Sequence, residues 1–136
     1  MQLLIQAILE VVTLTAVIHA SQLCDNYSYE NQISAGSPSV KMCNEINIEL
    51  GDERTWRIGM TQRQLISYDD CKIGARRLHP GYSEIGNEDL RQVLDNSIAT
   101  MAQTINGALL VGTKGWMHCG TDTVKADEDI VEWGIY

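Results

Sequence analysis

The chain has 136 residues, a formal charge of −8, a pI near 4.7 and 44% apolar residues. That size fits one domain, and the apolar content excludes a disordered chain. The acidic balance argues against nucleic acid and against anionic membrane surfaces, which both select basic footprints.

Residues 1–20 contain fourteen apolar residues and no Lys or Arg, and end Ile18-His19-Ala20 before Ser21. This is the layout of a secretory signal peptide cut after Ala20. The competing readings are a membrane anchor, which Glu10 disfavours, and a buried N-terminal helix. The mature domain is therefore expected to be residues 21–136, extracellular, with no stable membrane insertion.

Residues 21–36 read as an extended lead-in and loop. They hold Cys24 and one sequon, Asn26-Tyr27-Ser28, so Asn26 is a candidate glycan site. Ser37-Pro38 is expected to open a helix, with Ser37 as its cap. Val40, Cys43, Ile46 and Leu50 then form one apolar stripe, and Gly51 ends the helix before a turn at Asp52. Residues 55–60 and 64–68 carry strand patterns, and Asp69-Asp70 marks a bend before Cys71.

Residues 74–86 hold three Gly and Pro80 and read as a loop exposing Arg76, Arg77 and His79. Asn87 is expected to cap an amphipathic helix over 87–102, with Glu88 and Asp89 near the positive end of its dipole. Residues 107–112 and 115–119 read as strands, 120–129 as an acidic loop, and 130–136 as a terminal strand docked in a sheet. The fold class is α+β: a twisted, mainly antiparallel sheet packed by two helices.

Cys24, Cys43, Cys71 and Cys119 form an even set in a short exported chain, which reads as two disulfides. Three connectivities are open. Cys43–Cys71 with Cys24–Cys119 is preferred, because the longer loop stabilises more. No CxxC is present, and no metal or cofactor is expected.

No catalytic constellation stands out. His79 and His118, with Arg76 and Arg77, contain the residue types of a small ribonuclease, but nothing in their spacing brings them together. Asp127-Glu128-Asp129 reads as a solvated loop, and no GxSxG, HExxH or phosphate loop occurs. Trp56, Trp116 and Trp133 sit in strand patterns and are expected in the core; an exposed one would be a binding anchor. Arg76-Arg77 is the one basic pair and a candidate partner contact.

Together these stretches resemble the extracellular-protein-two effectors of plant-pathogenic fungi, also called the necrosis-inducing factor domain. The matching pieces are Cys24-Asp25, Tyr29-Glu30-Asn31-Gln32, Ser37-Pro38 and Cys43. They continue with Trp56, Arg63-Gln64-Leu65-Ile66-Ser67-Tyr68, Cys71, Val93 to Ile98, Gly115, Met117 and Cys119. The last is Val131-Glu132-Trp133-Gly134-Ile135-Tyr136. The chain departs from the pattern at Asn26-Tyr27-Ser28 and at Asp69-Asp70. The resemblance implies a secreted, disulfide-bonded, non-enzymatic virulence factor. It would bind an unknown host plant protein or cell-surface component and cause necrosis or be recognised. Alternatives are a killer-toxin-like antimicrobial protein and a small secreted hydrolase using His79 and His118.

Overall fold

The computed structural model describes residues 22–51, 53–120 and 129–136. The leader, Asp52 and most of the acidic loop lie outside the described residues.

The first strand, β1 (Glu30–Asn31), is short. Helix α1 (Val40–Leu50) follows, and its buried residues are the expected Val40, Cys43, Ile46 and Leu50. Its cap is Ser39, not Ser37: Ser39 Oγ accepts from the Met42 amide. Ser37 instead closes the preceding turn, its Oγ accepting from the Ser34 amide. Gly51 ends the helix.

The segment read as a loop is largely strand. β2 (Thr55–Ile58) pairs antiparallel with β5 (Ser83–Gly86) as a separate ribbon. β3 (Arg63–Tyr68) and β4 (Cys71–Arg77) form a hairpin through Asp69-Asp70, with Asp69 at φ 51°. The glycines and Pro80 that suggested one long loop are spread over β4, the short turn after it, and the end of β5.

Helix α2 (Asn87–Met101) comes next, then β6 (Gln103–Ile105) and β7 (Ala108–Leu110). Their hairpin turns at Asn106-Gly107, both at positive φ (52° and 82°). Such a turn matches the twist of the strands and selects Asn-Gly. β8 (Thr113–His118) and β9 (Ile130–Ile135) complete the order.

The main sheet runs β1-β8-β9-β4-β3, and every pairing is antiparallel. The terminal strand is thus central, hydrogen-bonded on both sides. Strand alternation sorts its faces. Ile73, Ala75, Met117, Val131, Trp133 and Ile135 are buried on the inner face, towards the helices. Lys72, Arg76, Lys114, Trp116 and Glu132 occupy the outer face, which no helix covers among the described residues. Trp56 and Trp133 are core as expected, whereas Trp116 is 37% exposed.

Both disulfides leave the inner face. Cys43–Cys71 pins α1 to the start of β4, and Cys24–Cys119 pins the lead-in to the end of β8. The fold is α+β with the preferred pairing. Among the described residues no helix is long and apolar enough to cross a membrane.

The two bridges close loops of 95 and 28 residues. Replacing Cys24 and Cys119 together by Ala is expected to cost about 4–5 kcal/mol, and replacing Cys43 and Cys71 about 3–4 kcal/mol. Urea unfolding of the two double variants measures both. The larger loss should belong to Cys24–Cys119.

Candidate binding surface

The basic pair is split by strand alternation. Arg77 is not an exposed contact residue: its relative exposure is 5%. Its Nη1 donates to Ser83 Oγ at 2.6 Å and to Asp129 Oδ1 at 2.8 Å. Its Nε and Nη2 donate to the carbonyls of His79 and Pro80. The guanidinium is the polar core of the β4–β5 turn, where it satisfies carbonyls that would otherwise be unpaired.

Arg76 points the other way and is exposed. Its Nε donates to Glu132 Oε1 at 3.2 Å across the β4–β9 pair. Trp116 lies opposite Glu132 on the other side. Trp116, Glu132 and Arg76 thus form one row across three strands on the outer face.

An open cavity of about 560 Å³ is lined by residues 59–63 and 80–82. The Arg57 guanidinium stacks on the exposed Tyr82 ring at 4.1 Å, a cation–π contact. Met60 is also exposed there.

The histidines do not form a pair. His79 is exposed in the turn after β4, and His118 sits on the outer face at the end of β8. No hydrogen bond joins them among the described residues. Nor do three His, Cys, Asp or Glu residues there gather as metal ligands. Asn26 is exposed, at φ 53°, beside the bridge that pairs Asp25 with His118.

Sequence reasoning missed a buried polar hub, Asp89. Its carboxylate is fully buried. Oδ1 accepts from the Cys24 amide at 3.0 Å and the Tyr27 hydroxyl at 2.6 Å. Oδ2 accepts from the amides of Leu23 at 3.0 Å and Gly86 at 2.8 Å. Asn87, the expected cap, is the first helical residue, and its Nδ2 donates to the Gly51 carbonyl. The cap position is Gly86, which has no side chain, so the usual Ser/Thr-x-x-Glu signature of this arrangement is absent.

The half-buried Tyr27 phenol is held in its protonated form, with its pKa well above the ordinary 10.0. Burial is the main cause, followed by its hydrogen bond to the Asp89 carboxylate and that group's charge.

A family model described as "Pathogen effector; putative necrosis-inducing factor" (Hce2) matches residues 23–119. The chain belongs to this effector family. The matched stretch contains both disulfides, Asp89, Arg76 and Trp116, and stops before β9. One curated relative, "Probable chitinase LysM18" from Penicillium expansum, is 29% identical over 118 residues. The alignment covers 83% of this chain and 8% of that protein, so the effector domain spans a small part of the relative's length.

The buried network gives two expected outcomes. Asp89→Asn should cost about 2–3 kcal/mol, since a charged acceptor of four hydrogen bonds is lost. The Tyr27 contribution is complete below pH 10 and is lost as pH rises beyond it. There the unfolded phenol ionises while the folded one stays protonated. A phenolate absorbance titration should show one of the five tyrosines ionising later than the rest.

Proposed function

We propose that the chain is exported, loses residues 1–20, and acts outside host plant cells by binding a host component rather than by catalysis. Cell death or host recognition is the consequence of that binding. Membership of an effector family supports the role in pathogenesis. The disulfides fit an oxidising extracellular setting.

The observation that carries the binding reading is the row of Trp116, Glu132 and Arg76 on a sheet face that no helix covers among the described residues. Trp and Arg are the residues that most often dominate binding energy at interfaces. His79 and His118 are given no working role.

A second reading comes from the relative named a chitinase: a domain directed at microbial walls, in the manner of a killer-type toxin. Purified protein that kills fungi or bacteria without plant tissue would favour it.

The test is infiltration of oxidised residues 21–136 into leaves, with graded doses. Arg76→Glu reverses the charge beside Glu132 and should reduce the response about tenfold or more while leaving the melting transition within a few degrees. The double variant His79→Ala with His118→Ala should respond like the parent. Loss of response in the histidine variant, with the fold intact, would replace binding by hydrolysis.

A further inference from the structure

Asn26-Tyr27-Ser28 is the only sequon in the chain, and the fold treats its two ends differently. Asp25 bridges His118, while the Ser28 amide donates to the Trp116 carbonyl at 2.8 Å. Three steps along the lead-in therefore match two along β8, which makes a bulge between these pairs. Asn26 lies in it at φ 53°, a left-handed conformation that Asn adopts more readily than most residues. Its side chain is exposed and has no hydrogen-bond partner among the described residues. A bulky group on Asn26 Nδ2 thus displaces no described polar contact of the fold.

Ser28 is committed instead. Its Oγ accepts from the Trp116 amide at 2.9 Å. The acceptor signal reads that hydroxyl, so modification has to precede the pairing with β8. Chain order allows this. Trp116 lies 88 residues beyond Ser28, and Cys24 waits for Cys119, 95 residues further on. At ordinary synthesis rates the sequon spends on the order of ten seconds outside before either partner exists.

We infer that Asn26 carries an N-linked glycan, added while the chain is being exported. Asn26 Nδ2 attacks the anomeric carbon of a lipid-pyrophosphate-linked oligosaccharide. The C1–O bond to the pyrophosphate breaks and an N–C1 bond forms. One amide proton passes to a base of the transferase, and the lipid pyrophosphate leaves. Nothing is oxidised or reduced. The step requires the export proposed above. In the finished fold the sugar is rooted on the outermost run of the main sheet, two residues from the Cys24–Cys119 bridge.

The test expresses the full chain in a yeast secretory host, and in parallel residues 21–136 behind the host's own leader. Intact mass is read on secreted and cell-retained protein, before and after peptide-N-glycosidase. The major species should carry one glycan, which the glycosidase removes while converting Asn26 to aspartate. Asn26→Gly keeps a residue suited to the left-handed bulge. It should lose the whole glycan mass, with a melting transition within a few degrees of the deglycosylated parent. Ser28→Thr keeps the hydroxyl and should keep the glycan. Bare polypeptide mass in both expressed forms, or a glycan that persists in Asn26→Gly, would overturn the inference. If only the host-leader form is glycosylated and secreted, the site stands and the export reading fails. If the full chain is secreted bare, the export reading stands and the site fails.

Discussion

A single buried carboxylate at the start of α2 organises the polar framework of this domain. Asp89 has no counter-charge among its hydrogen-bond partners. It is balanced by three backbone amides, one hydroxyl and the positive end of the α2 dipole. Two of those amides, Leu23 and Cys24, belong to a segment with little secondary structure of its own. Fixing Cys24 sets where its disulfide to Cys119 emerges. From there the chain runs along β8, bridging Asp25 to His118 and pairing β1 with Lys114 and Thr113. A lead-in with little regular structure is thereby held at Leu23 and Cys24 by a carboxylate and by a covalent bond.

The second organising feature is the central position of β9. Its inner residues, Val131, Trp133 and Ile135, are all buried, and Tyr29 meets the Trp133 ring edge-on at 5.4 Å. The outer residues of the same strand, Glu132 and Gly134, form the middle of the exposed face. One strand therefore joins core and surface: the packing that buries Trp133 also sets the position of Glu132 between Trp116 and Arg76. The helices and both disulfides lie on the inner side, and among the described residues no helix covers the outer face.

Much of this was legible in the residues. The apolar stripes of α1 and α2 repeat every three or four positions, so helical periodicity exposed them directly. The β-rich ending and the even cysteine set likewise pointed to a docked terminal strand and two bridges. The region from 74 to 86 was misread because Gly and Pro usually mark loops. Here Gly74 sits inside β4 to admit Gln62 and Tyr136, and that reason depends on residues distant in sequence. Arg77 was misread for the same cause. Alternation along a recognised strand would have turned it inward, away from Arg76. The Asn106-Gly107 hairpin carried a strong local signal that a single-strand reading overlooked. Asp89 had no signal beyond its place in the first helical turn, since three of its four partners, the Leu23 and Cys24 amides and the Tyr27 hydroxyl, lie more than 60 residues away. Trp116 kept a strand pattern, but periodicity alone does not say which face of a sheet is covered.

The most direct test of this account is amide hydrogen exchange at Cys24 and Gly86 in the oxidised domain. If Asp89 anchors the lead-in, both amides exchange only through global opening, as slowly as the amides of β9, and Asp89→Asn releases Cys24 first. Rapid exchange at Cys24 in the parent protein, with β9 still protected, would contradict the account.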